Sequence, residues 1–309
     1  MISVVIVNWN SGRLLEGCVR SLRKHAAGCE ILIVDNASVD SSLRFAAEAG
    51  KDLSILYNRK NVGFAAGNNL GWRASRGDKI LFLNPDTECL PESVSRLEQT
   101  LATDKTIWAA GGQLIHPGGK SQSRFNVRKF PSIGTVAAEM LFIDEIWPSN
   151  PWSGVNCPIN KTLAADVDQP AAACLMVVRT GLEYIGGFDE EYRPAWFEDV
   201  DLCRRIRNQG FRIQYQPGAR FLHHGGYSLG HLSRQDFLEI FHTNQIRYFK
   251  KHYGFKTAER VRHLVSLGLI LRSALSLVRS LTPGISRAAS AKIYWNAARH
   301  ILLLREAEL

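Results

Sequence analysis

The chain has 309 residues, 45% of them hydrophobic, and a formal net charge of +9, enough to bury one large core or two modest ones. Eleven Lys and Arg stand against three Glu in residues 250–309, so nearly all the excess charge lies in the tail and the body is close to neutral. Nucleic-acid binding needs basic residues interleaved with aromatics across the body, and that class of partner is excluded.

Residues 3–7 form a short β-branched run, which reads as a buried first strand and not as a secretion signal. Residues 14–24 carry helical spacing through Leu14, Cys18 and Leu22, and residues 30–34 are a second apolar run ending at Asp35. A helix is expected over 41–49, a strand over 54–57, a helix over 65–74 and a strand over 79–83. Alternation of this kind, with continuously apolar strands, predicts an α/β fold with a parallel sheet covered on both faces. Ligands of such sheets bind outside the carboxyl ends of the strands. The polar clusters fall there: Asn8-Trp9-Asn10 after the first strand, Asp35-Asn36-Ala37-Ser38 after the second, and Asn84-Pro85-Asp86-Thr87 after the fourth.

At a strand end Asp35 either reads a nucleoside through its base N–H or ribose hydroxyl, or turns the chain and, together with Ser38, caps the next helix. Residues 61–69, with Asn61, Gly63, Gly67, Asn68 and Asn69, form a glycine-bearing loop opening a helix, suited to close approach to a diphosphate or simply to a loop-helix junction. No G-x-G-x-x-G follows the first strand and no G-x-x-x-x-G-K-[ST] occurs, which disfavours a nicotinamide dehydrogenase or a P-loop enzyme. Asn84-Pro85-Asp86 is either a plain turn or a place where a carboxylate holds Mg²⁺ or Mn²⁺ against a diphosphate; such hard cations use only one or two carboxylates.

Residues 111–168 read as irregular and rich in Gly, Pro and Trp. Arg124, Arg128 and Lys129 flank Phe125 and Phe130, so the segment is either an acceptor-binding loop or a surface excursion. Further on, the acidic run Glu198-Asp199-Val200-Asp201 follows Trp196, which either stacks on a sugar or belongs to the core, and His223 and His224 lie downstream. The six cysteines are widely spaced without a C-x-x-C pair, which fits a reducing cytosol.

Residues 235–253 are aromatic and helical. Two helices are expected beyond Lys256, over 258–281 and 285–304, parted by Thr282-Pro283-Gly284. Apolar residues at 264, 267, 271, 274, 275 and 278 share one face, but Ser266, Arg272, Ser273 and Ser276 interrupt the run, so a spanning helix is not expected. The pair either lies on an anionic membrane surface or forms a hairpin that packs on the body or makes a homo-oligomer. A boundary is therefore expected after Tyr253, with 1–253 as the catalytic domain (halves 1–110 and 111–253) and 254–309 as a basic helical extension.

Taken together, the segments Ser3-Val4-Val5-Ile6-Val7-Asn8-Trp9-Asn10, Val34-Asp35-Asn36-Ala37-Ser38, 61–69, Phe82-Leu83-Asn84-Pro85-Asp86, Gly186-Gly187-Phe188-Asp189-Glu190 and Phe197-Glu198-Asp199-Val200-Asp201-Leu202-Cys203 resemble the family 2 glycosyltransferases, within them the rhamnosyltransferase-like group. The resemblance covers about three quarters of the chain. It implies a GT-A type fold, a nucleotide-binding α/β half joined to an acceptor-binding half around one mixed, mainly parallel central sheet.

The resemblance also implies roles. Asp35 contacts the nucleoside, and backbone around Val7, Asn8 and Trp9 lines the base. Asn61, Gly67, Asn68 and Asn84 belong to the nucleotide-sugar site. Asp86 takes the metal position of the family's D-x-D element, whose first acid is Asn84 here, with Mg²⁺ or Mn²⁺ as cofactor and His223, or His224 one register away, completing the site. Asp199 is the general base of an inverting transfer, and Trp196 and Glu198 stand on the acceptor side, although Glu198 and Asp201 also read as residues that set the helix start and orient Asp199. Where relatives carry a Gly-Ala pair near the donor sugar, this chain has Ala171-Ala172-Ala173-Cys174. The implied reaction moves a sugar, L-rhamnose from dTDP-rhamnose first and a UDP-sugar second, to a glycan or lipid-linked glycan in cell-surface polysaccharide synthesis at the cytoplasmic face of the membrane. A sugar nucleotidyltransferase and a non-catalytic nucleotide-binding regulator are the competing readings; the former needs a glycine-rich basic first loop, where this chain has Asn8-Trp9-Asn10-Ser11-Gly12-Arg13.

Overall fold

The computed structural model describes residues 1–45, 52–155, 157, 163–225, 232–280 and 288–306. The first strand, β1 (Ile2–Asn8), is buried along its whole length, as its apolar run requires. In α1 (Leu14–His25) the buried residues Leu15, Cys18, Val19 and Leu22 fall on one stripe, and Arg23, Lys24 and His25 occupy the last turn, where cations favour the helix dipole. Then come β2 (Glu30–Asp35), β3 (Leu53–Tyr57), α2 (Phe64–Ala74), β4 (Lys79–Leu83), β5 (Thr87–Cys89), α3 (Ser93–Thr103) and β6 (Ile107–Ile115). Of the helix expected over 41–49, residues 41–45 form turns and 46–49 lie outside the described residues.

The middle of the chain holds α4 (Ser123–Asn126), β7 (Val127–Arg128), α5 (Ile133–Met140), α6 (Ile143–Ile146), β8 (Ala165–Asp166) and β9 (Gln169–Pro170). The expectation of an irregular 111–168 is thus corrected. Helix α5 starts from a capping box in which Ser132 Oγ accepts from Thr135 N at 3.1 Å and Ser132 N donates to Thr135 Oγ1 at 2.8 Å. A Thr stands at the N3 position, where the sequence signature has Glu or Gln.

The remaining elements are β10 (Cys174–Val178), α7 (Arg179–Ile185), α8 (Glu198–Asn208), β11 (Arg212–His223), α9 (Arg234–Tyr253), α10 (Phe255–Ser280) and α11 (Ala288–Leu303). Gly254 at φ 83° separates α9 from α10. The turn Thr282-Pro283-Gly284 lies outside the described residues.

One mixed sheet runs β3-β2-β1-β4-β10-β6-β11-β5, with β8 paired to β11. Strands β1, β2, β3 and β4 are mutually parallel, β10 runs antiparallel to both β4 and β6, and β11 is parallel to β6 and antiparallel to β5. This order sets the site. Asn8 pairs with Asp35, Cys174 with Leu83, and His223 with Thr87, so polar residues from distant segments meet at one edge. Helix α2 lies unusually close to β1: a Cβ on Gly71 would stand 2.3 Å from Val5 Cγ1, and one on Gly67 2.9 Å from Val7 Cγ1.

Two compact units emerge from the contacts. The first comprises Met1–Phe130, Cys157–Pro194 and Glu198–Ser228, and the second Pro131–Asn156, Ala195–Phe197 and Leu229–Leu309. In the second unit α10 packs on α11 and on α5 through Ala258, Val261, Val265, Gly268, Leu269 and Ser273. A Cβ on Gly268 would lie 2.7 Å from Met140 Cβ. Arg272 donates to the carbonyls of Met140 and Glu139 at 2.7 Å each, and its guanidinium lies 4.3 Å from the Phe142 ring centroid. In sequence that arginine breaks an apolar run; in the structure it clamps one helix to another.

Candidate active site

One end of the candidate site is built where β1 and β2 stop. Asp35 is buried, and Asn8 Nδ2 donates to its Oδ1 at 2.8 Å while Ser38 N donates to its Oδ2 at 3.1 Å. The loop after β1 is tied to the loop after β2 through Asn10 N to Ser38 Oγ (2.9 Å) and Val39 N to Asn10 Oδ1 (2.8 Å). Val7 is buried beneath this edge and Trp9 is half-buried upon it. Asn8 Oδ1 is buried without a partner among the described residues, an acceptor left unpaired at a cost unless a donor reaches it.

Next to it, the 61–69 segment turns on Asn61, whose Oδ1 accepts from Gly63 N at 2.9 Å, and α2 starts at Gly63 with φ 91°. Asn68 caps backward onto Phe64 O at 3.0 Å. Asn69 serves as a clasp: its Nδ2 donates to Phe188 O and Glu190 Oε1, and its Oδ1 accepts from Phe188 N and Trp72 Nε1. Phe64 N donates to Pro194 O at 2.8 Å. The glycine-bearing loop is therefore locked to the segment that leads toward α8.

Asp86 follows β4. Asn84 N donates to Ala173 O at 3.0 Å, and the Asn84 carbonyl accepts from Thr87 N and Thr87 Oγ1, which fixes the turn. Asn84 Oδ1 is buried and has no partner among the described residues. The Asp86 carboxylate is buried, accepts from Gly225 N through Oδ2 at 3.1 Å, and places Oδ1 3.5 Å from His223 Nε2. His224 instead turns to Glu88 Oε1 at 3.1 Å. His223 is therefore the histidine that faces Asp86. Among the described residues no three His, Cys, Asp or Glu side chains converge; this corner offers a hard cation a carboxylate, an imidazole nitrogen and an unpaired amide oxygen on Asn84, a donor set suited to a metal that keeps waters and substrate phosphate as further ligands.

Asp199 opens α8 at the other corner. Its Oδ1 accepts from Val200 N at 2.8 Å and its Oδ2 from Ala172 N at 3.3 Å. Burial pushes its carboxyl above the ordinary aspartate range, against the pull of those two backbone N–H groups and of the Arg128 charge. Such a shift moves a carboxylate toward the pKa a general base needs near neutrality. Glu198 is buried with Oε2 unpartnered among the described residues, and burial, followed by the charges of Asp199 and Asp201, pushes it well above the usual carboxylate range. Asp201 is fully buried and pairs with Arg205 at 2.7 Å, while Arg205 also donates to Ile185 O and Gly187 O, anchoring α8 to the Gly186-Gly187 turn.

Residues 3–150 match the family model "Glycosyl transferase family 2". The N-acetylglucosaminyl-diphospho-decaprenol L-rhamnosyltransferase of Mycobacterium tuberculosis is 26% identical over 297 residues, 91% of this chain and 94% of that protein. The protein is a glycosyltransferase, similar to family 2 over residues 3–150. The rhamnosyltransferase WbbL of Escherichia coli K12 is 27% identical over 175 residues, 52% of this chain and 61% of that protein. Among solved structures, the mannosyltransferase of Pyrobaculum calidifontis in complex with GDP-Man and Mn²⁺ superposes with a TM-score of 0.57 at 14% identity, covering 97% of this chain and 84% of that one. TarS of Staphylococcus aureus in complex with UDP-GlcNAc gives 0.54 at 13% identity, covering 99% and 82%. The fold of the glycosyltransferase is thus the GT-A type that the sequence motifs imply.

Several partners of these side chains are not apparent in the glycosyltransferase's motifs. Gln122 bonds both the ring and the backbone of His223, Phe125 stacks on the same ring with centroids 5.4 Å apart, and Ala172 N donates to Asp199. Trp196 and Phe197 adopt φ of 74° and 75°, strained for such residues, directly before Glu198. Asn244 Nδ2 holds that bend by donating to Ala195 O and Trp196 O, and the half-buried Trp196 ring meets Phe237 edge to face at 5.0 Å. Two consecutive strained aromatics leave no trace in composition or periodicity.

Proposed function

We propose that this glycosyltransferase moves L-rhamnose from dTDP-rhamnose, with inversion, to a hydroxyl of a lipid-linked glycan at the cytoplasmic face of the membrane. The observation that carries the reading is the Asp199 carboxylate, set at the start of α8 with its proton affinity raised by burial. An acceptor hydroxyl is a weak nucleophile until its proton is removed. As the acceptor oxygen bonds to the anomeric carbon, its proton passes to Asp199, and the bond to the diphosphate oxygen breaks with its electron pair leaving on the nucleoside diphosphate. Attack opposite the leaving group inverts the anomeric centre.

Asp86 and His223, with Asn84 beside them, are the residues that would hold Mg²⁺ or Mn²⁺; when bound, such an ion neutralises charge on the departing diphosphate. The mannosyltransferase and the GalNAc-transferase GalNAc-T7 that share the fold were solved with Mn²⁺, which supports the assignment. Asp35, together with backbone around Val7, Asn8 and Trp9, reads the nucleoside. Asn61, Gly67 and Asn68 shape the diphosphate side, and Glu198 borders the acceptor. The M. tuberculosis relative, whose name gives a diphospho-decaprenol acceptor and a rhamnosyl group, supports the donor and acceptor classes.

The C-terminal helices support the membrane location. Helix α10 is long and apolar enough to cross a membrane by length and composition, which departs from the expectation drawn from its interrupting residues. Its packed face is buried against α11 and α5, while Leu267, Leu271, Leu275 and Val278 (63%) are exposed on the opposite face. On α11, Trp295, Leu302 and Leu303 are exposed as well. An apolar stripe beside a basic tail suits the surface of an anionic leaflet.

A donor panel tests the proposal. Purified protein is supplied with dTDP-, UDP- and GDP-sugars, Mg²⁺ or Mn²⁺, and a diphosphate-linked prenyl N-acetylglucosamine acceptor, and nucleotide release is followed. Turnover of dTDP-rhamnose above all others is expected. Turnover confined to a UDP-sugar overturns the rhamnosyl assignment, and no turnover of any donor overturns the catalytic reading in favour of a nucleotide-binding regulator.

A further inference from the structure

At the Asp86 corner the hydrogen-bond partners fix where a proton must sit. The His223 carbonyl can only accept, so the Gln122 atom 2.8 Å from it is the amide nitrogen. The Gln122 atom 2.8 Å from His223 Nδ1 is then the amide oxygen, which has no proton to give. Nδ1 therefore carries the ring proton. In the neutral imidazole Nε2 keeps its lone pair, and it stands 3.5 Å from Asp86 Oδ1. That tautomer turns a nitrogen lone pair and a carboxylate oxygen toward the same space, the pair of donors a divalent cation can bridge.

The turn that carries Gln122 is itself anchored. Asn126 Oδ1 accepts from Leu114 N at 2.9 Å and its Nδ2 donates to Leu114 O at 3.2 Å, tying α4 to β6. Phe125 lies over the His223 ring at 15° to its plane, with Arg128 on the Phe125 ring at 5.9 Å.

We propose that Gln122 is a positioning residue: it holds His223 in the Nδ1–H tautomer, with Phe125 restraining the ring, so that Nε2 and Asp86 Oδ1 are presented together to a divalent cation. The inference rests on the metal reading given above. Ligating histidines depend on the group that receives their other ring proton, and loss of that group typically lowers metal affinity about 10- to 100-fold.

The test uses the full chain with ¹⁵N-labelled histidine, without metal or donor, and takes the His223 signals as those lost in His223→Asn. The wild-type protein is expected to show the Nδ1–H signature. Gln122→Leu is expected to lose it and to bind Mn²⁺ about 10- to 100-fold more weakly in the presence of dTDP. Gln122→Glu keeps an acceptor at Nδ1 and is expected to keep the tautomer, which separates the effect from any fault in folding. An Nε2–H signature in the wild type overturns the proposal, as does a Gln122→Leu protein with tautomer and Mn²⁺ affinity unchanged. A wild type with the Nδ1–H signature that binds no Mn²⁺ overturns the metal reading, and leaves the tautomer assignment standing without that purpose.

Discussion

The two acidic corners of the site are built in opposite ways. Asp86 sits at a strand end, bonded by Gly225 N and facing the imidazole of His223, whereas Asp199 sits at a helix start where burial is the largest influence and pushes its proton affinity up. The first environment brings a carboxylate and an imidazole nitrogen together, donors that suit a divalent cation. The second suits a carboxylate that takes up a proton. Carboxylates of one site divide their work according to surroundings, and the proposed function gives the cation to one corner and the proton to the other.

Removing the proposed proton acceptor should have the largest effect. Asp199→Asn keeps the size of the side chain and is expected to lower kcat about 10²- to 10⁴-fold, measured as sugar transfer at saturating donor. Next comes the cation corner. His223→Ala is expected to raise the Mn²⁺ concentration needed for half-maximal rate about 10- to 100-fold, while His224→Ala, whose imidazole faces Glu88, leaves it near the wild-type value.

The pH dependence sharpens the contrast. Because burial raises the folded-state pKa of Asp199, the acidic limb of kcat/KM should lie above the ordinary carboxylate range, with rate lost as pH falls through it. The smallest effect is on stability. Glu198 has a raised folded-state pKa, so the stability it contributes is fully present below the unfolded value and is lost as pH rises through the folded one. Glu198→Gln should flatten that loss, read from urea unfolding at several pH values. A wild-type stability that rises with pH across the same range would contradict the assignment.

Much of this was legible because buried parallel strands announce themselves. The runs ending at Asn8, Asp35 and Leu83 are continuously apolar and stop at polar residues, so the strand-end rule pointed to this edge of the sheet without coordinates. The choice between His223 and His224 was not legible, because one register shift exchanges them; the structure decides it, with Ile213, Tyr215, Ala219, Phe221 and His223 buried along one face of β11. Gln122 was not legible. It is 101 residues from His223 in sequence, and only the pairing of β11 with β5 and β6 brings His223 to it. Helix α10 shows the converse limit. Periodicity found an apolar stripe at 264, 267, 271, 274, 275 and 278, yet Leu267, Leu271, Leu275 and Val278 of it face outward, because a second apolar face through Val261, Val265 and Leu269 fills the interior.

The division of labour is tested most directly by measuring donor binding and transfer in the same variants. Calorimetry of dTDP with Mn²⁺ and the rate of rhamnosyl transfer should be compared for Asp199→Asn and Asp86→Ala. Asp199→Asn is expected to bind dTDP and Mn²⁺ as the wild type does while losing transfer, and Asp86→Ala to lose Mn²⁺ affinity together with transfer. An Asp199→Asn protein that still transfers at close to the wild-type rate would contradict this division.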